Sequence, residues 1–122
     1  MTIDISRRTA LTRLLGGALG VTALARAQDD RIRDLVARVQ GDLQRAADFT
    51  RNNEKERERY HNVQHHLSEF DRQLRAGKFD KDRLDDAIDD LKNVVKNNTL
   101  ESRDRDALAA DLSDLRTMRD MR

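Results

Sequence analysis

Tyr60, Val63, Leu67, Phe70 and Leu74 follow one another at alternating steps of three and four, the spacing that puts side chains on one helical stripe. Gly77 then offers the φ > 0 position on which helices commonly end. Asp80 reads as the N-cap of a following helix, and Phe79 against Leu84 as a hydrophobic staple setting its entry angle. That helix carries its own stripe of Leu84, Ala87, Ile88 and Leu91. Asp82, Asp85 and Asp86 stand near its start and Lys92 and Lys96 near its end, the order that a helix dipole favours.

The rest of the chain after Gln28 continues in the same grammar. Asp29 and Asp30 open a helix with apolar positions at Ile32, Leu35, Val36, Val39, Leu43, Ala46, Ala47 and Phe49. The pattern thins through Thr50-Arg51-Asn52-Asn53 and the charged run from Glu54 to Arg59. Asn53 with Glu56 three residues on reads as an N-cap and its capping-box partner. Asn97-Asn98 closes the third helix. Ser102 is placed to cap a last one, which carries Leu108, Leu112, Leu115 and Met118 and ends in Arg116, Arg119 and Arg122.

The expected fold is therefore all-α, a small helical bundle of two αα-hairpins with helices over about 29–51, 54–76, 80–97 and 102–120. A faint repeat at an offset of 45 supports the hairpins. It pairs Val39 with Leu84, Leu43 with Ile88, Ala46 with Leu91, Phe49 with Val94, Asn52-Asn53 with Asn97-Asn98, Glu56 with Glu101, Val63 with Leu108 and Leu67-Ser68 with Leu112-Ser113. That offset is about twelve and a half helical turns, so helical periodicity alone does not generate it. The alternative is one long helix over 30–76 packed against a C-terminal helical hairpin. Ile32, Val39, Ala46, Tyr60, Leu67 and Leu74 keep one seven-residue register, and no Pro or Gly intervenes after Gly41. Such a helix reaches roughly 70 Å against partners of about 27 Å. It leaves Ile32, Leu35, Val36, Val39 and Leu43 uncovered, which predicts a homodimer or a protein partner on that stripe.

Residues 1–27 have the form of a cleavable leader and stand apart from the helical domain at 28–122. Basic residues end at Arg13, an apolar run with Gly16, Gly17 and Gly20 extends to Leu24, and Ala25-Arg26-Ala27 has the small-x-small form of a signal-peptidase site. The run is well short of the roughly 20 residues needed to span a bilayer, and with no Cys there is no lipid anchor to retain the chain after cleavage. Within it, Ser6-Arg7-Arg8-Thr9-Ala10-Leu11-Thr12 resembles the twin-arginine export motif, usually S-R-R-x-F-L-K. Arg7, Arg8, Ser6 and Leu11 match, while Ala10 and Thr12 replace the usual Phe and Lys. The resemblance covers the leader alone and implies export to the periplasm or beyond the cell, by that route or the general one. Residues 28–122 resemble no characterised family.

Composition narrows the chemistry. Charged residues make up 39% and aromatics 3%, with no Pro, Trp or Cys, a mix suited to exposed helices around a thin aliphatic core. The leader holds four Arg and one Asp. Of 24 basic and 23 acidic side chains, the remainder keeps 20 and 22, a balance of −2 that gives no electrostatic case for nucleic acid or anionic lipid. His61 and His65 lie four apart on one helical face that Glu58 and Glu69 extend, a face able to chelate Zn²⁺ or Cu²⁺. Asn62 stands where the H-E-x-x-H general base would be, so this is no metallopeptidase motif. His66 flanks the apolar stripe and is expected to lie over apolar neighbours. The acid run from Asp80 to Asp90 fails as an EF-hand, with Leu84 at the fifth position, Asp85 at the required Gly and Leu91 at the bidentate Glu. No catalytic residue set, phosphate loop or cofactor motif emerges.

The expectation is an exported structural or protein-interaction module without catalytic activity, binding through the apolar stripe of its first helix or through its charged outer faces. The alternative is an exported metal-binding protein using His61 and His65. A chaperone-like role has no signature here.

Overall fold

The computed structural model describes residues 2–49 and 53–122, with side chains described from 26 onward within those ranges. Four helices follow in order, α1 (Thr2–Phe49), α2 (Glu54–Arg75), α3 (Lys81–Asn97) and α4 (Ser102–Asp120), and no strand occurs among the described residues. The chain divides into two units, Met1–Arg31 and Ile32–Arg122. In the first, the backbone is helical from Thr2, so α1 starts far upstream of the expected position near residue 29. The physical reason is permissive: no Pro stands in this stretch, and each Gly costs a helix only about 1 kcal/mol relative to Ala.

Within Ile32–Arg122 the four helical segments form a bundle. Side-chain bonds fix the neighbours and their directions. Arg33 Nε donates to Asp71 Oδ1 at 3.2 Å, and Gln40 Nε2 donates to the Gln64 carbonyl at 3.1 Å, so α2 runs antiparallel to α1. His66 meets Asp90, and Arg59 donates to Asn98 Oδ1 at 3.0 Å, which sets α3 antiparallel to α2. Arg105 reaches the Val95 carbonyl at 2.6 Å and Arg119 reaches Asp85 at 3.1 Å, turning α4 back along α3. Arg38 on Asp111 closes the ring between α4 and α1. Each helix thus lies antiparallel to the two beside it, the up-down-up-down arrangement of a four-helix bundle.

The stripes face inward as their spacing requires. Tyr60, Val63, Leu67, Phe70 and Leu74 of α2 are buried together with Leu84, Ala87, Ile88, Leu91 and Val94 of α3 and Leu108, Leu112 and Leu115 of α4. From α1 come Ile32, Val36, Val39, Leu43 and Ala46, with Leu35 and Ala47 packed partly buried at the edge. Burying a side chain of this kind is worth about 1.5–3 kcal/mol, set against the cost of ordering the chain that carries it. The stripe expected to be uncovered on a long first helix is therefore spent inside the chain. Phe49 departs from the pattern. It is the terminal residue of α1, about one turn beyond Ala46, and stands 60% exposed.

The continuous helix over 30–76 is not formed. Asn53 is extended (φ −65°, ψ 169°), and its side chain accepts from the Glu56 amide at 2.9 Å. Residues 50–52 lie outside the described residues. The expected capping box is only half made, because the Glu56 carboxylate accepts from the Thr99 amide instead. α2 ends in a Schellman turn, with Gly77 N–H on the Leu74 carbonyl at 3.0 Å and Lys78 N–H on the Gln73 carbonyl at 2.9 Å. Gly77 takes φ +85°, where a Cβ would be strained. Asp80 caps α3 by accepting from the Arg83 amide at 3.1 Å, as its position predicts. Phe79 is seated edge-on against Phe70, with ring centroids 5.3 Å apart. The N-cap of α4 is Glu101, without a side-chain cap bond, and Ser102 is already inside the helix.

The offset of 45 survives as structure along the seams: Val39 and Leu84, Leu43 and Ile88, Ala46 and Leu91, Val63 and Leu108, Leu67 and Leu112 are all buried. It breaks at the junctions. Asn98 closes α3 and is buried whereas Asn53 opens α2 and is exposed, and Val94 is buried where Phe49 is not.

Candidate functional site

The residues singled out for chemistry do not converge. Arg7, Arg8 and Ala25 lie among residues whose side chains fall outside the description, and Ala27 is exposed. His61, His65 and Glu58 are exposed on the outer face of α2, and Glu69 is tied to Arg72. Among the described residues no three His, Cys, Asp or Glu side chains stand close enough to hold a metal ion. The acids of α3 are divided among separate tasks: Asp80 caps, Asp85 holds Arg119, Asp90 holds His66, and Asp82, Asp86 and Asp89 face outward. His66 corrects the expectation of an apolar setting, since its Nδ1 lies 2.5 Å from Asp90 Oδ2 in a half-buried pair linking α2 to α3. Among the described residues no helix is long and apolar enough to cross a membrane.

Two polar clusters lie inside the bundle instead. The first joins the start of α2 to the α3–α4 connection. Asn98, 3% exposed, donates from Nδ2 to the Glu56 carbonyl at 3.1 Å and accepts from Arg59 on Oδ1, while Glu56, 6% exposed, takes the Thr99 amide. No buried side-chain polar atom of Glu56, Arg59 or Asn98 lacks a partner, so the burial costs little and ties the two hairpins at one end.

The second lies between α1 and α4. Asp111 is 2% exposed, and its Oδ1 accepts from Arg38 Nε at 3.1 Å. The same guanidinium reaches Asp114 through Nη2. Asp42 of α1 stands beside Asp111, and its Oδ1 lies 3.4 Å from Arg45 Nη1. Burial pushes the Asp111 carboxyl up to about 7, with the neighbouring Asp42 adding to the rise and Arg38 opposing it. Arg38 itself is held above the usual guanidinium range, chiefly by its bond to Asp114.

Sequence reasoning passed over both clusters, yet a signal was there. Glu56, Asn98, Asp104 and Asp111 all continue the helical spacing of the buried apolar residues on their own helices. A polar residue in register with a core stripe is a buried polar residue whose partners come from elsewhere in the chain.

What remains on the outside is charge. Among the described residues, Phe49 and Met121 are the large hydrophobics left exposed, the latter at 82%. Ion pairs such as Arg45–Asp42, Arg72–Glu69 and Arg75–Asp71 line the rim, each an exposed Arg on a partly buried acid of its own helix. Compared with models of protein families, with curated proteins and with solved structures, the chain finds no match in any of the three.

Proposed function

We propose that this chain is an exported, non-catalytic helical module that works by contact, through the charged outer faces of its bundle. The observation that carries this reading is the allocation of side chains: the aliphatic stripes are consumed in the core, and the outer faces carry the charge. The outer face of α3 presents Asp82, Asp86 and Asp89 exposed and spaced for one face, which suits a partner bearing basic side chains. The leader pattern at Arg7-Arg8 and Ala25-Arg26-Ala27 supports export, and among the residues whose side chains are described the core begins at Ile32, downstream of the leader.

Expression of the whole chain in a bacterium with both export routes tests the reading in two steps. Mass spectrometry of the exported protein is expected to find an N-terminus at Gln28, with export lost in an Arg7→Lys/Arg8→Lys variant if the twin-arginine route is used. Cross-linking of the exported form is expected to trap a partner that is lost at high salt, because exposed charges beyond a Debye length are screened. The same partner should be lost in an Asp82→Lys/Asp86→Lys/Asp89→Lys variant. An unprocessed chain retained in the cytoplasm removes the export half; trapping indifferent to salt and to charge reversal removes the contact surface.

A further inference from the structure

The α1–α4 seam contains more negative charge than its cations balance. Asp42, Asp111 and Asp114 meet Arg38 and Arg45, an excess of one carboxylate. Arg38 is divided between the two acids of α4, and Arg45 lies on Asp42 at the exposed edge. Asp111 Oδ2 is buried and has no donor among the described residues. Asp42 stands one turn beyond Arg38 on the same face of α1, beside the Asp111 carboxyl. Two carboxylates cannot bond to each other, since neither has a hydrogen to give. A proton on one of them converts the contact into an O–H···O⁻ bond, among the stronger kinds available to side chains, and brings the cluster to neutrality.

We infer that Asp42 and Asp111 share one proton across the α1–α4 seam, and that this proton is a pH-sensitive latch between the first and last helices of the bundle. The titration of Asp111 agrees in direction: burial acts first, Asp42 second, and both hold the proton on. The charged groups facing the pair are Arg38 and Arg45 from α1 and Asp114 from α4 itself. On the other side of α4, α3 supplies Asp85, which is held by Arg119 and does not act on Asp111.

The sign follows from linkage. A carboxyl whose folded pKa lies above its unfolded value of about 3.9 binds more protons when folded, so its stabilisation is full on the acid side and is lost as pH rises through about 7. The latch is therefore closed in mildly acidic solution and released in alkaline solution, where Asp42 and Asp111 repel.

Thermal unfolding of the full chain from pH 5.5 to 8.5, at fixed ionic strength, reads this directly. The wild type is expected to lose several degrees of Tm across that range, and Asp111→Asn to lose clearly less. Groups other than residue 111 are common to both proteins, so the comparison isolates the seam. The Asp111 Cγ resonance of the wild type provides a reading that needs no variant: it is expected to titrate near neutrality. In Asp42→Asn, where an amide can donate to a charged Asp111, that midpoint is expected to move down. Parallel pH profiles for wild type and Asp111→Asn, or an Asp111 Cγ midpoint near 4 in the wild type, overturn the latch. If Asp111→Asn does not fold, the two Cγ midpoints decide alone.

Discussion

Replacing Phe70 by Ala is expected to lower the unfolding free energy by about 3–5 kcal/mol, read as a shift of the urea midpoint at unchanged slope. Phe70 is fully buried, and its ring stands edge-on to Phe79 at an interplanar angle of 88°. Phe79 belongs to the short connection between α2 and α3 and carries the Arg122 guanidinium 4.9 Å above its ring centroid. Removing the Phe70 ring thus opens a cavity in the core and takes away the surface on which the α2–α3 connection is seated. The chain has only three Phe and one Tyr, and of these Phe79 is the ring that stands against Phe70, at 5.3 Å between centroids. A domain of this size has a total stability of about 5–15 kcal/mol, and the substitution removes a large part of it. The corresponding fall in Tm is on the order of 20 °C. A loss below about 1 kcal/mol would mean that Phe70 is not surrounded as described.

The substitution Val39→Asp is expected to have a larger effect still, abolishing the cooperative unfolding transition at ordinary temperature. Val39 is fully buried near the middle of the bundle's α1 segment, between Val36 and Leu43 on the same stripe. An aspartate there must either shed its hydration unpaired or pull α1 out of the bundle, and both routes cost several kcal/mol. Ala37→Asp, on the exposed face of the same helix, is the control and is expected to change stability by no more than about 1 kcal/mol. Calorimetry on the two variants separates a core role for the stripe from a role in recruiting another chain. If Val39→Asp unfolds like the wild type, α1 is not part of the core.

The difference between what the residues announced and what they concealed is physical. Tyr60 to Leu74 and Leu84 to Leu91 are regular enough in spacing that their burial could be read directly, and Gly77 and Asp80 mark the turn between them because each supplies a local conformation or a local bond. Local chemistry is legible from local sequence. The pairing of Arg38 with Asp111 spans 73 residues, and that of Glu56 with Thr99 spans 43, so neither leaves a trace in any short window. A hydrophobic–polar reading assigns Glu56, Asn98 and Asp111 to the surface, although their register puts them on the seams. The Ser102 side chain is a good acceptor and reads as the cap of α4, yet the flanking residue is Glu101 and Ser102 is the first residue of the helix. The His61–His65 face kept the spacing that a metal requires but found no third ligand among the described residues. The break near Asn53 is legible in its N-cap chemistry although a seven-residue register runs through it unbroken. The Asn53 side chain accepting from the Glu56 amide, together with the junction that holds Glu56 to Thr99, fixes the start of α2.

A bundle closed within one chain makes a direct demand on hydrogen exchange. In the full chain, the amides of Val36 to Ala46 should be protected to a degree comparable with those of Val63 to Leu74, and a hundredfold dilution should leave both sets unchanged, because each stripe is covered by the same polypeptide. Protection of Val36 to Ala46 that fades on dilution while α2 and α3 hold theirs would show that another molecule covers the first helix, and the four-helix core described here would be wrong.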